Sequence, residues 1–240
     1  MTFYLIGLGL DLKSISARAL ETIKKCNEIY LENYTVDFPY KSDELKEILG
    51  KKIILLNREE VESENIINKS KDKDIVLLVY GNPLSATTHI SLILNAKKNK
   101  IKYNIIHAES ILTAISESGL QLYKFGKTAS MPKFTKSFEP DSFLDIIKQN
   151  QKIKAHTLLL TDIGLSSKKA IEQLEKTCKK RNMKLDKIII CSKLGTENSR
   201  IFYDSLNKLK KTPIAMPFCI IIPSELHFIE KEAVEVLSEN

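Results

Sequence analysis

Over the first hundred positions, short apolar blocks alternate with polar stretches of helical spacing. FYLIGLGL at 3–10 has no polar alternation, so it predicts a strand buried on both faces. Ser14 is the expected cap of the segment that follows, in which Ile15, Ala19 and Ile23 fall on one helical face. EIYLEN (28–33) predicts a second strand. Ser42 opens a capped helix, SDELKEIL, that Gly50 ends. KIILL (52–56) predicts a third strand and EEVESENIINK (59–69) a polar helix. IVLLVY (75–80) is the clearest strand. THISLILNAKK (88–98) reads as the helix after it, with Thr87 or Thr88 as its cap, and YNIIHA (103–108) as the fifth strand. Strands alternating with helices predict an open, largely parallel α/β sheet.

The second half has a different rhythm. SILTAISES (110–118) predicts a short helix broken at Gly119, and LQLYKFGKTASMP (120–132) is rich in apolar and aromatic residues around one glycine. HTLLLTDIG (156–164), DKIIICS (186–192) and FCIIIP (218–223) predict strands, with helices SKKAIEQLEKTCKK (167–180) and ELHFIEKEAVEVL (225–237) between and after them. The expected fold class is therefore α/β in two domains. Residues 1–109 form a mostly parallel sheet, and 110–240 form a mixed one.

Composition narrows the class. The 240 residues, 43% of them apolar, can build a real core. No apolar run approaches the ~20 residues of a membrane span. MTFYLIGLGLDLKS lacks a basic start and a small-residue cleavage site, so it reads as a first strand rather than a leader. Cys26, Cys178, Cys191 and Cys219 are scattered, which argues against a zinc site or a disulfide framework and fits a cytoplasmic protein. The net charge of +7 is spread over short lysine runs, as on solvated helix faces, with no basic stripe interleaved with aromatics. No stable nucleic-acid binding is expected from it.

In an open parallel sheet, ligands bind beyond the carboxyl ends of the strands. Three suspicious segments fall there: Gly7-Leu8-Gly9-Leu10, Gly81-Asn82-Pro83 and His107-Ala108-Glu109-Ser110. GLGL is not a dinucleotide fingerprint, because Leu12 stands where a small residue is required. A phosphate-binding P-loop is absent too. The two glycines are better explained by close approach of another chain or a ligand. His89 and His107 are candidate bases or structural hydrogen-bonding residues, and Asp162 is either catalytic or the cap of the next turn. No metal-ligand spacing occurs, and no Gly-x-Ser-x-Gly elbow is present.

GLGL, YLENYT (30–35), GNPLSATTH (81–89), HAESILTAISESGLQLYKFGKTASMP (107–132), HTLLLTDI and PFCIIIPSELHFIE (217–230) resemble the tetrapyrrole-methylase family of S-adenosylmethionine methyltransferases. SGLQLYKFGK beside ATTH is most similar to the diphthine branch of that family. The resemblance implies S-adenosylmethionine bound in a cleft between two domains, within a homodimer. It implies N-methylation, up to the trimethyl form, of a 3-amino-3-carboxypropyl-histidine on translation elongation factor 2. Corrinoid, porphyrinogen and ribosomal RNA methylation are the alternatives within the same fold. The positions that correspond to cofactor contacts are Leu10, Asn82, Ser85, Ser110, Ile111, Thr161, Leu194 and Cys219. Asn82 stands where the family usually carries Asp, and Cys219 where many members carry His. The segment from Asp162 to Asp186 is shorter than usual. The site is expected to tolerate Asn82.

No strong base is required by this chemistry. A free α-amino group titrates near ~8, and a dry site lowers that further by disfavouring the ammonium. Positioning of the amine in line with the methyl group can supply ~7 kcal/mol or more. His89, His107 and Asp162 are the candidates to relay the displaced proton.

Overall fold

The computed structural model describes residues 1–63 and 65–239. Glu64, inside the expected helix EEVESENIINK, and Asn240, the last residue of the expected second domain, lie outside the described residues. The chain divides into two compact units, Met1–Leu112 and Thr113–Asn240.

The first unit runs β1 (Thr2–Gly7), α1 (Ala17–Lys25), β2 (Glu28–Glu32), α2 (Ser42–Leu49), β3 (Ile54–Leu56), α3 (Arg58–Glu62), α4 (Asn65–Lys69), β4 (Ile75–Val79), α5 (Ile90–Lys98) and β5 (Lys102–Ile106). All five strands pair in parallel, in the order β3-β2-β4-β1-β5. The most apolar run, β4, lies at the centre and every one of its residues is buried. Cores form on both faces, one around Phe3, Leu5, Leu77 and Leu92 and the other around Ile6, Ile23, Leu45 and Leu78. That two-sided burial is why β1 and β4 lack polar alternation.

Local chemistry sets the element ends, with three corrections to the expected caps. Ser16, not Ser14, caps α1 by accepting from the Ala19 N–H, while Asp11 caps a short 3-10 turn over Leu12–Ser14. Helix α2 starts at Ser42 as expected, but its cap comes from Glu44, whose carboxylate accepts from the Lys41 N–H. Gly50 ends it at φ +61°. Neither Thr87 nor Thr88 caps α5. The Thr87 hydroxyl instead donates back to the Pro83 carbonyl at 2.9 Å.

After α6 (Ile111–Ala114), the second unit holds β6 (Ala129–Met131), α7 (Phe143–Lys152), β7 (Thr157–Thr161), α8 (Ser167–Lys180), β8 (Lys187–Ser192), β9 (Arg200–Ser205), α9 (Leu206–Leu209), β10 (Phe218–Ile222) and α10 (Phe228–Leu237). Its sheet is mixed, ordered β6-β7-β10-β8-β9, with β6 parallel to β7 and the remaining pairs antiparallel. Helix α8 is the stretch the spacing predicts, and it buries Ala170, Ile171, Leu174 and Cys178 in this core. Gly119 takes φ +83° where the expected break falls. Among the described residues, no helix is long and apolar enough to cross a membrane.

Candidate functional site

At the carboxyl edge of the first sheet, three loops meet. Beyond β1 and β4 the chains change direction and form one antiparallel bridge: the Gly81 N–H donates to the Gly9 carbonyl at 2.9 Å and the Gly9 N–H to the Gly81 carbonyl at 3.3 Å. Both glycines have positive φ, +77° and +67°. Gly7 is where the loops are closest. A Cβ there would lie 2.5 Å from the Gly81 oxygen, 2.8 Å from Pro83 Cδ and 2.9 Å from Ala108 Cβ. So the close approach that GLGL predicts is made by other segments of the same chain.

Asn82 ties the β4 loop to the β5 loop. Its Nδ2 donates to the Ala108 carbonyl at 3.0 Å and lies 3.1 Å from His107 Nδ1, while its Oδ1 accepts from the Leu84 N–H at 3.1 Å. The turn continues with the Ser85 N–H donating to the Asn82 carbonyl. Leu10 is buried beside it, and its carbonyl accepts from the Tyr80 hydroxyl at 3.0 Å. Ser110 is buried too and accepts from the Leu112 N–H, with Ile111 half-buried next to it. Leu10, Asn82, Ser85, Ser110 and Ile111 are thus carried by three loops that hydrogen-bond or touch one another.

An aspartate at 82 cannot donate to Ala108, and its second oxygen would face that carbonyl at the same short distance. Asn82→Asp is therefore expected to lower stability by about 1 kcal/mol, the net worth of a half-buried hydrogen bond. Thermal unfolding checks this, and an unchanged Tm would mean that the two loops are held by other contacts.

A buried polar cluster lies behind the same turn. His89 Nδ1 is 3.2 Å from the Pro83 carbonyl, and its Nε2 is 3.4 Å from the Tyr34 hydroxyl and 3.8 Å from Glu32 Oε2. Glu32 is fully buried at the end of β2, and Thr35 donates to its other oxygen. Burial pushes the Glu32 carboxyl up to about 7 against the Thr35 hydrogen bond. The same cause holds His89 below the usual imidazole range.

In the second unit, Thr161, Leu194 and Cys219 share one edge of the sheet, because β10 runs antiparallel to both β7 and β8. Cys219 lies directly opposite Cys191 and both are buried. Leu194 is buried in the loop after β8, which the Lys193 N–H fastens to the Pro217 carbonyl at 2.8 Å. Glu117 holds that loop from a distance in sequence, accepting from the Gly195 N–H and the Ser199 hydroxyl, each at 2.8 Å. Asp162 is spent on local structure. Its two oxygens accept from the Ile163 and Lys133 N–H groups, so of the two roles the sequence left open the geometry shows the cap.

The sequence profile of the tetrapyrrole (corrin/porphyrin) methylases matches residues 2–210. The chain belongs to the tetrapyrrole methylase family. It is accordingly a methyltransferase. Among similar methylases, the diphthine synthase of Methanococcus aeolicus is 39% identical over 98% of each chain. The diphthine methyl ester synthase of Schizosaccharomyces pombe is 35% identical over 99% of this chain and 95% of its own. A crystal structure of diphthine synthase superposes with a TM-score of 0.91 at 32% identity, over 99% of this chain and 96% of that one. Sequence reading missed two polar anchors of this methylase. Glu32, an acid closing an apolar strand in YLE, was a visible signal. Glu117 was not, because its partners lie about eighty residues away.

Proposed function

We propose that the chain transfers methyl groups from S-adenosylmethionine to the amine of a 3-amino-3-carboxypropyl-histidine on translation elongation factor 2, up to the trimethyl form, working as a cytoplasmic homodimer. The observation that carries this reading is full-length similarity to relatives named for diphthine and its methyl ester. The proposed cofactor contacts are Leu10, Asn82, Ser85, Ser110 and Ile111 in the first unit and Thr161, Leu194 and Cys219 in the second. Their chemistry fits an amphipathic cofactor: the hydroxyls of Ser85, Ser110 and Thr161 suit its polar parts, Asn82 fixes the turn that carries Ser85, and buried Leu10, Leu194 and Cys219 suit its adenine face.

When bound, S-adenosylmethionine supplies a methyl group on a positively charged sulfur, and that electrophile is the hard part of the chemistry. The chain's task is to orient the acceptor and exclude water. The methyl group would pass to the lone pair of a neutral amine, with the cofactor leaving as a neutral thioether. An N–H proton must then leave before the next transfer. The amine has to arrive neutral, which a dry site favours by disfavouring its ammonium form.

The fission-yeast relative is named for a methyl ester, which forms at a carboxylate oxygen rather than at nitrogen. That gives a second reading, methylation of the carboxylate on the same arm. Incubation with S-adenosylmethionine and elongation factor 2 bearing the unmethylated arm should add base-stable methyl groups, counted by peptide mass spectrometry. Base-labile methyl groups would establish the ester reading. Transfer to a corrinoid, porphyrinogen or RNA, with none to the factor, would overturn both.

A further inference from the structure

Glu32 and His89 are buried and ionisable, and neither is among the proposed cofactor contacts. Both belong to motifs of the sequence, YLENYT and GNPLSATTH. Among the described residues, Glu32 Oε2 has no hydrogen-bond partner although it is sealed from solvent. His89 Nε2 lies 3.8 Å from it, and the opposite ring nitrogen is 3.2 Å from the Pro83 carbonyl. A buried acceptor left unmade is costly, and a small closure of the 3.8 Å gap lets one proton be held between the two side chains.

We propose that Glu32 and His89 form a proton-sharing positioning pair that clamps the Pro83 carbonyl and so sets how tightly the Asn82–Ser85 turn holds the cofactor. This rests on reading that turn as a cofactor wall. With one proton on Glu32 Oε2, the imidazole accepts at Nε2 and its proton sits on Nδ1, where it donates to Pro83. When that proton is lost, the carboxylate attracts an N–H at Nε2. The neutral ring then changes tautomer and turns a lone pair toward the Pro83 carbonyl, so the clamp opens. Around the pair stand Tyr34, Thr35 and, from α3, Arg58 and Glu62. Arg58 lies over the Tyr34 ring and ion-pairs with Glu62. Burial, with the nearby Glu32 and Glu62 carboxylates, pushes Tyr34 up to about 12, so its hydroxyl keeps its proton throughout. Glu32 itself titrates at about 7. Cofactor affinity is therefore highest below that pH and falls as pH rises through it.

Calorimetric titration with S-adenosylhomocysteine at pH 6 and pH 8.5 tests this. The wild type should bind about tenfold more weakly at the higher pH, as loss of one clamping hydrogen bond implies. Glu32→Gln should hold the pH 6 affinity at both, because its amide donates permanently to Nε2. His89→Asn keeps a donor at the Nδ1 position and should bind well without pH dependence, whereas His89→Leu should bind weakly at both. Equal pH dependence in wild type and Glu32→Gln, or wild-type binding by His89→Leu, overturns the inference. Asn82→Ala and Ser85→Ala separate the two readings. If both bind normally, the turn is not a cofactor wall and the site assignment falls. If they weaken binding while His89→Leu does not, or while Glu32→Gln keeps the wild-type pH dependence, only the clamp falls.

Discussion

Glu230→Ala is expected to destabilise the protein by about 3–5 kcal/mol, the range for removing one partner of a buried ion pair, which lowers Tm by on the order of 10 °C. Glu230 opens α10 and is fully buried. Its carboxylate accepts from the Gln121 N–H at 3.0 Å, the His227 N–H at 2.8 Å and His156 Nε2 at 3.2 Å, and it pairs with Lys124. His156 is fixed in that tautomer because its Nδ1 accepts from the Ser224 N–H at 2.9 Å. Without the carboxylate, the Gln121 N–H loses its partner and the Lys124 ammonium is left with the Glu225 carbonyl at 2.9 Å. Burial alone would raise the Glu230 carboxyl. The hydrogen bonds from Lys124, Gln121, His227 and His156 override it and hold the group at about 2. A depressed carboxylate stabilises above its unfolded value and loses that contribution as pH falls toward its folded one. For a drop from 4.5 to about 2, linkage gives about 3 kcal/mol. Urea unfolding of wild type and Glu230→Gln should therefore differ widely at pH 7 and converge near pH 2. Equal stability at pH 7 would show that this cluster does not hold α10 in place.

Elements that bury a continuous apolar surface were legible in the sequence, and elements whose partners are distant were not. β4 and β8 announce themselves because their interior positions are nearly all apolar. α8 does so because four apolar contacts recur at helical spacing. β9, RIFYDS, alternates only weakly and lies at the sheet edge, so its strand state depends on pairing with β8 rather than on its own pattern. α7 went unread although Phe143, Leu144 and Ile147 form a buried stripe, because the stretch before it offers few apolar residues to frame it. In the candidate site, three strand-end loops were foreseeable from Gly, Asn and Pro at the ends of apolar runs. The partners of Asn82 were not. That its amide would be consumed by the Ala108 carbonyl depends on β1 separating β4 from β5, a matter of strand order that no local pattern encodes.

That strand order also makes Gly7 a sensitive backbone position of the site. Gly7→Ala is expected to cost about 1–3 kcal/mol of stability, as overpacking does, and to weaken S-adenosylhomocysteine binding by tenfold or more, about 1.4 kcal/mol. The added methyl would meet the Gly81 oxygen, Pro83 Cδ and Ala108 Cβ, all within 3 Å. None of these is the end of a flexible side chain. The β4 and β5 loops must both retreat, and the Gly9–Gly81 bridge and the Asn82 tie lie within that retreat. Gly50→Ala is the control. Gly50 has positive φ but nothing within 4 Å of a new Cβ, so its cost is about 1 kcal/mol of left-handed strain, with no effect on binding. Calorimetry and unfolding on the two variants separate loop displacement from general destabilisation. Loss of binding in Gly7→Ala alone would locate the cofactor at the three-loop junction. Normal binding by a measurably destabilised Gly7→Ala would move it elsewhere. The difference rests on geometry, because the substitution adds one methyl group in each case and only Gly7 stands where three loops need the space.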